Sequence, residues 1–106
     1  MAKGDITKKS EIDRIEIVNK WFIQVRRADI VYEEQDDNFK KEISRNFHRH
    51  VLEPYSSARS DDGNWKHNEY DLSKEDAKVK AIAEIAWDDA TKAEAKLYNE
   101  SLAPPL

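Results

Sequence analysis

The stretch that most constrains this chain is Ser10–Glu34, SEIDRIEIVNKWFIQVRRADIVYEE. Wound at about 100° per residue, it leaves one stripe wholly polar: Asp13, Glu16, Lys20, Gln24 and Arg27. Ile12, Ile15, Val18, Phe22 and Val25 form an apolar arc, which Ile17, Trp21, Ala28 and Tyr32 carry around the side. Ser10 and Asp13 have the spacing of a capping box, and Glu11, Asp13 and Glu16 place negative charge where a helix start favours it. Glu16 and Lys20 stand at i,i+4 in the favoured order. The pattern predicts a helix over about residues 10–34. An ordinary surface helix has an apolar stripe a little over ~100° wide, whereas this arc takes half the wheel or more. Such a helix is either covered on two sides by its own chain or contributes to an interface. Ile17, Trp21, Ala28 and Tyr32 are therefore candidate interface residues, with burial in a monomer core as the alternative.

Two further helices are expected. Asp36 or Asp37 can cap one over about 38–52, in which Phe39, Ile43, Phe47 and Val51 recur every four residues as a buried stripe. Pro54 ends it, since the residue before a proline is pushed out of the helical region. Ser73 with Asp76 forms a second capping box and opens a helix over about 73–102. Its arc runs Val79, Ile82, Ala83, Ile85, Ala86, Ala90, Ala93 and Leu97, and Ala-Pro-Pro at 103–105 stops it. Residues 53–72 read as a long irregular loop rich in turn chemistry, with Tyr55, Trp65 and Tyr70 to pack it down. The expected architecture is all-α, a small three-helix bundle. A polar lead (1–9) precedes a single domain (10–102), and a short tail (103–106) follows. Helices of ~37 and ~45 Å outrun the second one, so another chain or the loop must cover part of their length.

A chain of 106 residues can bury one core without staples. It has no cysteine, hence no disulfide, thiolate metal site or cysteine nucleophile. Two glycines and three prolines are few for a fold built on hairpin turns. No run approaches the ~20 apolar residues of a membrane span, and the start lacks a signal peptide's apolar centre, so a cytoplasmic setting is expected. The net charge is −4, but residues 1–60 carry 12 Lys+Arg against 11 Asp+Glu, and residues 61–106 carry 6 against 11.

Within 38–60, Lys41, Arg45, His48 and Arg49 face away from the Phe39/Phe47 stripe, and Lys40 and Arg59 can add to them. A compact Arg/Lys face suits phosphates or carboxylates, although nucleic-acid domains are usually basic overall. His48 and His50 form H-x-H, which points two helical side chains about 200° apart and denies them a shared metal unless the segment is extended. Asp29 and Asp89 fall on apolar arcs, so each is expected to be buried and to meet a base such as Arg45, Arg49 or His48. Trp65 is a packing anchor or part of a partner site. No phosphate loop, calcium loop or nucleophile elbow is present. The chain is therefore expected to be a non-enzymatic interaction protein without cofactor or metal, self-associating as a homodimer or binding a protein partner through its helices. Nucleic-acid or anion binding through the basic face is the alternative.

Overall fold

The computed structural model describes residues 3–35 and 39–102. It is β-rich, which overturns the all-α bundle. A three-stranded sheet of β1 (Ile6–Val18), β2 (Phe22–Glu34) and β3 (Lys40–Leu52) has the order β1-β2-β3. A separate antiparallel hairpin joins β4 (Tyr55–Arg59) to β5 (Trp65–Glu69). A 3-10 turn (Leu72–Lys74) leads to α1 (Ala77–Ala86) and α2 (Asp89–Ser101).

The expected first helix is the β1–β2 hairpin. Ile12, Ile15, Ile17, Val18, Ile23, Val25, Ile30 and Val31 are β-branched, and Trp21, Phe22 and Tyr32 are aromatic; these side chains fit a pleated surface better than a helix. The strands reverse at Asn19 and Lys20, which lie at φ 51° and 75°. Two successive residues at positive φ make the turn whose twist matches a hairpin. Asparagine and lysine adopt that conformation here, so the scarcity of glycine did not exclude hairpins. Ser10 caps nothing: its hydroxyl donates to Asp29 Oδ1 across the sheet at 2.7 Å. The polar lead also joins the structure, since Gly4 N–H donates to the Glu34 carbonyl at 2.8 Å and β1 begins at Ile6.

The expected second helix is β3, which corrects the helical reading of 38–52. A spacing of four residues keeps side chains on one helix face, but it also keeps them on one strand face, so Phe39, Ile43, Phe47 and Val51 fit both. The loop at 53–72 is largely the β4–β5 hairpin, with Tyr55 opposite Glu69, Ser57 opposite His67 and Arg59 opposite Trp65. The expected third helix breaks at Trp87. Trp87 turns inward and is buried, and the Asp88 carboxylate accepts from Thr91 N–H at 2.8 Å, capping α2 anew. Ser73 lies in the 3-10 turn, and Asp76 caps α1. The cap expected at Asp36 or Asp37 and the stop and tail at 103–106 lie outside the described residues.

The chain divides into two compact units. Unit 1 takes the chain up to Ile15 together with Gln24–His50, and unit 2 takes Glu16–Ile23 with the chain from Val51 onward. In unit 1, Val25, Ala28 and Ile30 are buried on the middle strand. Unit 2 buries Trp21, Ile23, Leu52, Tyr55, Val79, Ala83, Trp87 and Ala95. Each large apolar side chain so buried contributes about 1.5–3 kcal/mol.

Candidate interaction surface

β3 is an edge strand, and every residue from Lys40 to Val51 is exposed. Its side chains alternate between the two faces of the sheet. One face carries Phe39, Lys41, Ile43, Arg45, Phe47 and Arg49 in succession, apolar and basic by turns. Phe39, Ile43 and Phe47 are 63%, 47% and 39% exposed. Large apolar side chains in a regular row on a sheet face are not ordinary solvated surface. A helix over 38–52 would bury this stripe and turn the basic residues away from it. On a strand Lys41, Arg45 and Arg49 share the face of that stripe while His48 turns to the other, and a spacing of four gave no signal to choose strand over helix.

Contacts within unit 1 fix which face this is. Arg26 donates to both oxygens of Asp13 at 2.9 Å, and these two side chains are 23% and 15% exposed. The Arg26 guanidinium lies 4.3 Å from the Phe47 ring centre, and that of Arg49 lies 5.6 Å from it. Arg45 chelates Glu42 at 2.7 and 3.2 Å and approaches Asp13 at 3.9 Å. The Asp13 carboxyl is held below its ordinary pKa, first by the Arg26 hydrogen bond and then by the charges of Arg26 and Arg45. Arg45 is therefore already matched to acids of its own chain, whereas Lys41 and Arg49 have no acidic partner among the described residues.

His48 points to the opposite face, where its Nε2 lies 2.9 Å from Asp29 Oδ2. Asp29 also accepts from Arg27 at 3.0 and 3.1 Å and from Ser10. The Arg27 hydrogen bonds, then that of Ser10, hold its carboxyl below the ordinary range. Asp29 thus meets the expected base, but its side chain is 32% exposed and not buried. This is the arrangement of a structural cross-strand pair. Asp89 is exposed in the first turn of α2, where a negative charge suits the helix start. The strand also places His48 and His50 on one face, the condition under which they can share a metal, yet among the described residues no group of three or more His, Asp or Glu surrounds a common point.

The other candidate residues scatter. Ile17 is exposed, Tyr32 is half-buried, and Trp21 and Ala28 are core residues. Arg59 belongs to unit 2, its guanidinium 5.8 Å from the Trp65 ring centre, and Trp65 stacks on His67 at 5.9 Å. Trp65 and Arg59 border an open cleft of about 660 Å³ whose lining includes Phe22, Glu53, Ser57, Tyr98 and Asn99. Beside it, Ser57 Oγ lies 2.6 Å from His67 Nδ1, and His67 Nε2 lies 3.6 Å from Glu100. That sequence of groups resembles a nucleophile relay, but Ser57 and His67 stand directly opposite each other in the hairpin, and Asn99 also donates to Ser57 Oγ at 3.0 Å. Satisfied cross-strand polar pairs look the same. Among the described residues, no helix is long and apolar enough to cross a membrane. No protein family, curated protein or solved structure matches the chain, so the site rests on its own geometry.

Proposed function

We propose that this is a non-enzymatic interaction protein that receives a protein partner along the edge and exposed face of β3, in a cytoplasmic setting. The observation that carries this reading is the row Phe39, Ile43, Phe47, exposed on an edge strand that no other described strand covers. An edge strand offers a line of backbone donors and acceptors to a further strand, and natural proteins usually guard such edges. Here, among the described residues, the guard is the charged side chains of β3, mostly lysine and arginine. The helix-mediated association expected from the sequence gives way to a sheet-mediated one, because the first expected helix, which carried it, is the β1–β2 hairpin. A second reading, single-stranded nucleic acid held by Lys41, Arg45 and Arg49, draws on aromatic and basic side chains sharing one face.

The test is to select short random peptides on the full chain and map the bound ones by amide chemical shifts. Binders that shift residues 40–50 are expected. Binders that gather instead at the cleft of Trp65 and Tyr98 overturn the assignment to β3. Nucleic acid is separated by salt, because affinity for an oligomer falls steeply with salt, in proportion to the phosphates neutralised.

A further inference from the structure

We infer that the occupant of the β3 edge is an extended segment of another protein whose every second residue, along one face, is apolar and acidic by turns, added as a fourth strand. This rests on the reading of β3 as the binding surface and goes on to the chemistry of the partner. A strand laid beside β3 places its side chains about 4.5–5.5 Å from those directly opposite. On the face it shares with this row, every fourth residue of that strand must then answer Phe39, Ile43 and Phe47 with apolar groups, and the same-face residues midway between those must answer Lys41, Arg45 and Arg49. Opposite charges across a ladder stabilise and like charges destabilise. Of these cations, Lys41 and Arg49 have no acidic partner among the described residues, so they carry the recognition. Carboxylates every fourth residue, with an apolar residue midway between them on the same face, satisfy both.

A second copy of this chain fits poorly. Antiparallel pairing of two β3 strands about a two-fold axis keeps like faces together, and the face in question holds no acid from Phe39 to Arg49. Centring the pair on Arg45 matches Ile43 with Phe47, but it sets Arg45 against its own copy and Lys41 against Arg49. Sliding the register by one step on each strand places cations against phenylalanine or isoleucine. Every such register leaves the cations unanswered. Nucleic acid fits less well than an acidic strand for a different reason. Phe47 already has Arg26 at 4.3 Å and Arg49 at 5.6 Å from its ring centre, so its stacking face is in use. Unit 1 is also close to neutral, with ten Lys+Arg against nine Asp+Glu.

The experiment titrates the full chain with end-blocked, fluorescein-labelled peptides of the repeat Val-Thr-X-Thr, in which X is glutamate, serine or lysine, so that valine and X share one face of the strand, read by anisotropy and by amide shifts. It is repeated on the doubly charge-reversed variant Lys41→Glu/Arg49→Glu. The glutamate peptide is expected to bind at least about tenfold tighter than the serine peptide, with shifts confined to residues 40–50. The variant is expected to prefer the lysine peptide, which also shows that it is folded. Equal binding of the serine and glutamate peptides at β3 overturns the inference and leaves the interaction surface standing. So does a dimer seen by light scattering that Ile43→Glu dissociates while no peptide binds. Salt-sensitive binding of a deoxythymidine oligomer at β3, without peptide binding, replaces both with the nucleic-acid reading. No binding of any probe to β3 overturns inference and surface together.

Discussion

Tyr70 shows how a single side chain at the surface is tuned by its neighbour. Its hydroxyl donates to Glu75 Oε2 at 2.6 Å, just ahead of α1, and its ring meets Trp87 edge-on at 6.3 Å. The Glu75 hydrogen bond first, then partial burial, push the phenol from its ordinary 10 up to about 12. A pKa raised on folding stabilises the fold while the proton is held. The contribution is therefore complete below pH 10 and is lost as pH rises through about 12. Ultraviolet titration is expected to show one of the chain's four tyrosines ionising well after an ordinary phenol, and Tyr70→Phe is expected to remove that late step. If the late step persists in Tyr70→Phe, the hydrogen bond to Glu75 is not what holds the proton. Asp13 and Asp29 carry the opposite shift, each lowered by a guanidinium. For all three groups a specific donor or acceptor leads the shift, and burial is secondary.

At the scale of elements, the turn between β1 and β2 is where the sequence conceded least. Asn19 tolerates positive φ well, but Lys20 at φ 75° has a Cβ that this conformation crowds. Lys20 also reaches Glu94 at 3.0 Å, yet both side chains are more than half exposed, and such pairs contribute little. Lys20→Gly is therefore expected to stabilise the chain, by on the order of 0.5–1 kcal/mol, as a higher denaturant midpoint at unchanged slope. A fall in the midpoint means that the exposed pair outweighs the backbone relief. The same turn explains what could not be read in advance. Without a glycine, nothing at Asn19-Lys20 announced a reversal, and the apolar groups on either side filled a helical wheel as readily as two pleats. Phe39, Ile43, Phe47 and Val51 are ambiguous for a simpler reason, since four is a whole number of strand periods and close to one helical turn. The basic residues Lys41, Arg45 and Arg49 were recognised as one set because their spacing of four survives in either geometry. Their union with the phenylalanines was not, because a helix separates them. Helices were legible only in the last third, where alanine is frequent and Asp76 supplies a cap. Even there Trp87 and Asp88 divided them.

At the scale of the molecule, the division of the chain does not follow its order. The residues around the first turn, Glu16–Ile23, belong with the chain from Val51 onward. A charge split placed at residue 60 therefore misjudges the fold: by unit, the imbalance is ten Lys+Arg against nine Asp+Glu in unit 1 and eight against thirteen in unit 2. Unit 2 is closed by contacts between residues far apart in sequence, and one of them dominates. The indole N–H of Trp87 donates to the Trp21 carbonyl at 2.8 Å across 66 residues, fully inside the protein. Tyr98 from α2 meets Trp21 edge-on at 5.6 Å and Phe22 at 6.4 Å, so the turn is held from both helices. Trp87 thus does two things: it breaks the helix that the sequence suggested, and it fastens the break to the first turn. Trp87→Phe keeps an aromatic ring but removes the donor and leaves a buried carbonyl unanswered, which costs roughly 1–3 kcal/mol. The loss of ring volume adds to this. Chemical unfolding is expected to shift by about 2 kcal/mol or more towards lower denaturant, with Trp21 emission moving to the red as its cover loosens. Unchanged stability in Trp87→Phe means that the turn is held by the Tyr98 and Phe22 rings alone, and the indole is only a space-filler at the helix break.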